Sequence, residues 1–476
     1  ADRYGTEDYA LRPDGTAPAA FFGNNTCTPV GTWEARAIPG SQRVMATAAP
    51  HHGMTAGSII LVDPTRGVDG SEPITRLTPD TPFPESENVL LPQWRSSLAP
   101  EPPNRTPEMD RWPGHCYRSP WPLSEKYFLA AFSYDPLIGE PKGNAANIFG
   151  LYLVDAFGNR ELLYRDLNIA SLWPIPLRPR GKAPVLPSVQ PADSAKEGTY
   201  FLQNVYDSNP GVEPGAIKRL RIVQVLPKST SGANNPTVGA ANASPGKQVL
   251  GTVPVEADGS ACFRAPAGIA LAFQALDDLG QAAQVMRSVS YLQPGETASC
   301  VGCHEPRLSA PAVHPAQPQA LRRPPSTIMP GPDGSNPLSY PILVQPVLDN
   351  HCVGCHSGAK PAGPKDKPVV LTGEPSGRYT TSYNTLIERV SYSSWGRGAF
   401  PDGNCEPLAK PGFFGAKGSP LMQMLLAGHH DVKLADDELD RLVTWMDANA
   451  LFYGTFNFDD QARQQRGERI SGPGLE

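Results

Sequence analysis

The five residues Cys300-Val301-Gly302-Cys303-His304 recur fifty-two positions later as Cys352-Val353-Gly354-Cys355-His356. No other feature of the chain constrains it as tightly. Two thiols three positions apart can add to the two vinyl groups of one porphyrin, and a histidine directly after the second thiol is placed to turn its imidazole onto the iron. A thioredoxin-like redox pair needs a βαβ context that is missing here, and a zinc site needs paired CxxC units. In a chain with 8 Cys and 9 His, two such motifs read as two sites of covalent haem c attachment.

With 41 basic and 47 acidic residues, charge is close to balanced, which argues against a nucleic-acid partner. There is no Lys/Arg run of the kind that holds a chain to a membrane surface. Pro (54) and Gly (45) are abundant while Val, Ile, Phe and Tyr remain plentiful, so many short elements joined by ordered loops are expected. No apolar run reaches the roughly eighteen residues of a membrane span; Gly268 to Leu276 and Tyr127 to Phe132 are only strand length. The chain begins at Ala1 without Met or a signal-peptide pattern, and the expectation is that a leader was removed or that more sequence preceded it. Covalent haem attachment takes place outside the cytoplasm, so the expected location is periplasmic or extracellular.

The fold class read from the pattern is mainly β, a partial β-propeller-like region plus a small β-domain, followed by an α-helical cytochrome c domain. Residues 1–32 read as an arm. Residues 33–227 carry short strands, near 42–47, 57–62, 127–134, 148–154, 161–164, 200–206 and 217–226, bounded by Gly, Pro, Asp or Asn. Their spacing fits propeller blades, with a sandwich as the alternative. Residues 228–247 read as a flexible linker or exposed loop. Residues 248–307 read as a small β-domain of two hairpins, one turning at Asp258-Gly259 and the other at Asp277 to Gly280, that ends in the first motif. Residues 308–337 read as a Pro-rich extended tether. Residues 338–476 read as the cytochrome domain: an entry helix shortened or bent by Pro346, a helix opened by Ser419-Pro420, and an amphipathic helix with Leu439, Leu442, Val443 and Met446 on one face.

Cys300, Cys303, Cys352 and Cys355 are the attachment residues, and His304 and His356 the proximal ligands. His429 or His430, after Gly428, is placed to supply the sixth ligand of the second haem, whereas Met422 and Met424 read as core. For the first haem, His314 and His351 are the candidates for a sixth ligand; otherwise the position is open and suited to small-ligand chemistry. His51, His52, His115 and Cys116 are candidates for a catalytic lining or for a further metal ion, zinc or calcium, against their reading as ordinary blade-end side chains. Cys27, Cys116, Cys262 and Cys405 allow three disulfide pairings, among them Cys27 with Cys405 and Cys116 with Cys262.

Several segments resemble proteins related to the hydrazine synthase alpha subunit: Pro50-His51-His52-Gly53, Gly57 to Pro64, Gly114-His115-Cys116-Tyr117-Arg118-Ser119-Pro120, Pro122-Leu123-Ser124-Glu125, Phe273 to Asp277, Cys303-His304-Glu305, Gly428 to Leu434, and Trp445 to Ala450. The resemblance covers most of residues 33–455. It implies a propeller middle domain and two c-type haems, one in a cavity suited to catalysis and one bis-histidine haem for electron relay. That family uses a tyrosine shortly after the first CxxCH as haem ligand. Here His304-Glu305-Pro306-Arg307-Leu308 offers none, which favours ordinary ligation by His304. The expectation is a dihaem c-type cytochrome that transfers electrons to redox partner proteins, other cytochromes first among them. The alternatives are a redox enzyme with substrate chemistry at the first haem and a structural subunit of a larger redox complex.

Overall fold

The computed structural model describes residues 8–23, 26, 28–50, 54–84, 114–137, 144–179, 185–190, 196–207, 211–232, 234–286, 288–303, 316–358, 368–394 and 409–472. The chain forms two compact units, residues 1–187 and 188–476.

The first unit is all β. After a short antiparallel pair, β1 (Asp8–Ala10) with β2 (Ala19–Phe22), come two four-stranded antiparallel meanders. The first is β3 (Gly31–Ala37), β4 (Val44–Ala49), β5 (Ser58–Val62) and β6 (Ile74–Arg76). The second is β7 (Tyr117–Pro122), β8 (Tyr127–Ser133), β9 (Phe149–Asp155) and β10 (Arg160–Tyr164). β5, with the sequence Ser-Ile-Ile-Leu-Val, is buried along its whole length, while the edge strand β10 is exposed along its whole length. Four-stranded meanders in succession are the plan of propeller blades. Among the described residues the two do not close a ring.

β3 and β7 each carry a bulge, between Trp33 and Arg36 and between Arg118 and Trp121. At these bulges Glu34 and Ser119 adopt left-handed backbone, with φ of 57° and 54°, which costs a non-glycine residue on the order of 1 kcal/mol. The Glu34 carboxylate offsets that cost. It accepts hydrogen bonds from Thr47 Oγ1 at 3.0 Å, Ser119 Oγ at 3.0 Å, Arg118 at 3.3 Å and Trp173 Nε1 at 3.0 Å. The segment Gly114 to Pro120, singled out in the sequence, thus supplies the bulge that straps the two meanders together.

The second unit begins with two sheets. β11 (Glu197–Leu202) lies between β14 (Ala261–Pro266), antiparallel, and β17 (Thr297–Cys300), parallel. The other sheet runs β13 (Lys247–Pro254), β12 (Arg219–Val225), β15 (Leu271–Leu276), β16 (Ala282–Val285). This topology corrects two readings. β11 and β12 are neighbours in sequence but lie in different sheets. Likewise β13 and β14, read as a hairpin, diverge after the turn closed by Glu256 N–H on Ser260 O, at 2.8 Å. The local turn chemistry was right, but each strand finds its partner elsewhere, β13 on β12 and β14 on β11. The β15–β16 hairpin is as expected.

The Pro-rich stretch does not span open space. Its described part, from residue 316, runs along the sheets through single bridges Phe263 to Ser326, Thr252 to Met329 and Gln248 to Pro337. A Cβ on Gly251, whose φ is 138°, would stand 1.9 Å from Met329 O, so only glycine lets the two backbones meet. The stretch read as a linker is also held: Val238 is 2% exposed, and its carbonyl accepts from Phe452 and Tyr453 N–H, both at 2.9 Å.

The helical region comprises α1 (Tyr340–Leu343), α2 (Gln345–His351), the small hairpin β18 (Pro375–Ser376) with β19 (Tyr379–Thr380), α3 (Thr381–Leu386), α4 (Pro420–Ala427), α5 (Asp436–Asp447) and α6 (Phe458–Gln465). Pro346 separates α1 from α2, as its missing N–H predicts. α6, capped by Asn457 on Asp460 N–H, was not foreseen. Tyr340, Tyr383, Trp445 and Phe452 form an aromatic centre with ring centroids 5.1–6.2 Å apart.

One buried ion pair joins sheet to helices. Arg221 on β12, 1% exposed, donates to Asp447 at the end of α5 at 2.9 Å, to Gln274 Oε1 on β15 at 2.9 Å and to Gly280 O at 3.2 Å. Asp447 also accepts from the N–H groups of Ala282 (2.9 Å) and Ala416 (2.8 Å), and its carbonyl accepts from Gln274 Nε2 at 2.6 Å. Burial pushes the Asp447 carboxyl up, and the Arg221 guanidinium opposes that push. Trp445, 1% exposed and two residues away, fills the aromatic centre. Trp445→Ala is expected to lower the unfolding free energy by about 3–5 kcal/mol, read as a drop in urea midpoint at unchanged slope.

Candidate functional site

The second motif begins where α2 ends. Cys352 N–H still bonds Leu348 O at 2.8 Å, and His356 N–H bonds Cys352 O at 2.9 Å, so a further turn brings cysteines and histidine round together. Cys352 leans on the helical core, and burial pushes its thiol up to about 11; Cys355 is exposed. His356 Nδ1 lies 3.2 Å from Val369 O. Facing a carbonyl, Nδ1 must carry the proton and donate it, which leaves Nε2 with a free lone pair, the state a metal ligand needs.

Across from His356 stands His429. The ring centroids are 6.1 Å apart and the planes 17° from parallel. Two imidazoles bound to one iron, each nitrogen about 2 Å from the metal and about 1 Å from its ring centre, would have centroids roughly 6 Å apart. The separation is one that an iron held between the two imidazoles would fit. A taut turn presents His429: Gly428 has φ 96°, and His430 and Asp431 take left-handed φ of 46° and 61°. Of the two sequence candidates, His429 is the one facing His356. His430 packs edge-on against His429, with centroids 4.7 Å apart. Partial burial first, then His430 and His356, hold the His429 imidazole below the ordinary value of 6.5 and so in its neutral form.

The first motif follows β17. Cys300 O accepts from Gln203 N–H at 2.9 Å and Val301 O from Asn204 N–H at 3.0 Å, so the strand pairing continues into the motif. A Cβ on Gly302 would stand 2.2 Å from Asp207 O, whereas one on Gly354 would meet nothing within 4 Å. Cys300 and Cys303 pack beside Tyr206 and Val212 against the β-domain core, and burial pushes the Cys303 thiol up to about 12. His304 and His314 lie outside the described residues. His351 is engaged elsewhere: its Nε2 lies 2.9 and 2.8 Å from the two carboxylate oxygens of Glu438, on α5. This corrects its reading as a ligand reaching toward the first haem.

The remaining candidates divide. His115 holds Ser133 O at 2.8 Å through Nδ1 and stacks on Phe132, with centroids 5.5 Å apart. Cys116 is fully buried in an apolar cluster, and burial pushes its thiol up to about 12, which disfavours a metal-binding thiolate. His51 and His52 lie outside the described residues, and among the described ones no group of three His, Cys, Asp or Glu is set to hold a further metal ion. Cys116 and Cys262 are buried free thiols; Cys27 and Cys405 lie outside the described residues. Three partners were not legible beforehand: Val369 O, which is a backbone atom, and Glu438 and Arg221, whose partners are 87 and 226 positions away. Glu438 had announced itself only as a first-turn acid.

Residues 215–305 match the model of the hydrazine synthase alpha subunit middle domain. This match places the β-domain and first motif in a known class of domain. Among solved structures, a chain of Kuenenia stuttgartiensis hydrazine synthase superposes with a TM-score of 0.61 at 17% identity, over 94% of this chain and 65% of that one. At that identity the likeness is one of fold, and this chain spans about two-thirds of the length of its counterpart. No curated protein matches the sequence. The chain thus resembles the hydrazine synthase alpha-related family, as its motifs led one to expect, in a mainly β architecture with late helices.

In the haem-free chain, His429 is expected to titrate below 6.5, and His430→Gln to raise its midpoint by removing a repelling neighbour. Because the folded form binds this proton less readily than the unfolded form, acidification through the ordinary imidazole range costs stability. NMR titration of the imidazole protons checks both.

Proposed function

We propose that this chain is an extracytoplasmic dihaem c-type cytochrome that transfers single electrons, with the second motif as a closed bis-histidine relay. The observation that carries the reading is the facing pair His356 and His429, 6.1 Å apart beside a CxxCH turn. Bound haem would supply a reversible one-electron couple there. The chain would supply the rest: Cys352 and Cys355 would tether the ring through thioethers, Val369 O orients His356, the turn after Gly428 presents His429, and partial burial keeps that imidazole neutral. Two histidine ligands suit a relay, since neither has to leave during turnover. Thioether attachment would favour the periplasm or the cell exterior, where other cytochromes are natural redox partners. The "subunit" in the matched domain's name favours a place in a larger redox complex.

A second reading, substrate chemistry at the first motif, is favoured by one observation: the segment that resembles the hydrazine synthase alpha subunit, 215–305, is the one that delivers Cys300, Cys303 and His304. Carbon monoxide discriminates between the two. A reduced protein in which neither haem binds it is a relay at both sites, and binding at one haem that survives in His429→Ala marks an open first site.

Chain matured with a haem-attachment system is expected to contain two haems c by alkaline pyridine spectrum, and one in Cys352→Ala/Cys355→Ala. His429→Ala is expected to convert the second haem from low-spin to high-spin and to open it to carbon monoxide. His430→Ala is expected to leave it low-spin. A low-spin, ligand-closed second haem in His429→Ala would sink the assignment.

A further inference from the structure

The two CxxCH motifs stand in differently built parts of the second unit, yet one load path of buried and half-buried side chains connects them. β12 alternates: Leu220 and Ile222 face the core cluster against which Cys300 and Cys303 pack, while Arg221 between them faces the other way, to Asp447. β15 repeats the pattern. Phe273 and Ala275 face the Cys300 cluster, and Gln274 holds both Arg221 and the carbonyl of Asp447. Asp447 is the last residue of α5, the helix that ends in this rivet. At the opposite end of α5, Glu438 accepts from Ala435 N–H at 3.0 Å and grips His351 through both carboxylate oxygens. His351 is the residue directly before Cys352.

We propose that α5 is the spacer that sets the separation and mutual orientation of the two haem sites, with Asp447 and Arg221 clamping one end and Glu438 with His351 the other. This inference rests on the dihaem reading above. A single helix is stiff along its axis, so clamping both ends transmits a fixed distance from the sheet whose core Cys300 and Cys303 pack against to the helix end that carries the other motif. Electron tunnelling falls exponentially with edge separation, so a spacer of this kind fixes the transfer rate without touching either iron. Arg221, Asp447 and Glu438 are therefore positioning residues. None of them lies in a motif or serves as an expected ligand.

The test uses the full chain carrying both haems, with pulsed dipolar EPR for the iron–iron distance and inter-haem transfer followed optically after rapid one-electron reduction. The wild type is expected to give a narrow distance distribution. Glu438→Ala and Asp447→Asn are each expected to broaden it and to slow transfer severalfold, with haem content and the optical spectrum of each haem unchanged. Asp436→Asn, on the exposed first turn of the same helix, is the control and is expected to change nothing. A broad wild-type distribution, or wild-type distance and rate in a variant retaining both haems, overturns the spacer. Should Asp447→Asn not fold, Glu438→Ala at the more open end decides alone. A wild-type chain that binds fewer than two haems defeats the dihaem reading instead, so the two failures are distinguishable.

Discussion

The Arg221–Asp447 pair is the contact on which the architecture of the second unit depends. A buried ion pair is a poor way to gain stability: desolvating both charges costs several kcal/mol, and apolar residues of the same volume often do as well. What the pair provides is direction. The carboxylate accepts from one guanidinium and two backbone N–H groups, on Ala282 and Ala416. A sliding or rotated α5 would leave the two backbone N–H groups without their acceptor and the buried guanidinium without its counter-charge. Hydrophobic packing alone, between a sheet face and a helix bearing Leu442, Val443 and Met446, would tolerate several registers. The charges select one.

The same contact shows what could and could not be read in the sequence. Local elements were legible because their causes are local: the Ser419-Pro420 opening, the break at Pro346, the Asp277 to Gly280 turn, and the short apolar runs of β4, β5 and β8. The partners of strands were not. Glu256 to Ser260 forms a good turn, and a good turn predicts a hairpin, but whether the flanking strands pair depends on what else competes for their edges. Here β12 and β11 won. Arg221 looks in sequence like any solvent-facing position of an alternating strand, and nothing nearby reveals that a helix more than two hundred residues away will cover it.

At the site, legibility followed the same line. The covalent pattern CxxCH named its own residues. Histidines near a glycine stop were visible as a pair, yet choosing between His429 and His430 needed the backbone, since the left-handed turn that begins at His430 is what sends the two rings different ways. His351 looked available because it adjoins a motif. It is held instead by a glutamate whose place, three residues into a helix, serves the helix's own N-terminus as well. One carboxylate performing two tasks leaves no signature in sequence.

The two pentapeptides are identical letter for letter, but the structure holds them under different constraint. Gly302 is pressed against the backbone of Asp207, while Gly354 faces open space. Identity at the middle position is thus enforced in one copy and incidental in the other. Over evolutionary time the second motif is free to accumulate larger residues there while the first is not, so a family descended from such a chain would come to look as though its two sites had separate origins. The same asymmetry marks position 354 as a place beside the second motif where an added side chain meets no protein neighbour within 4 Å.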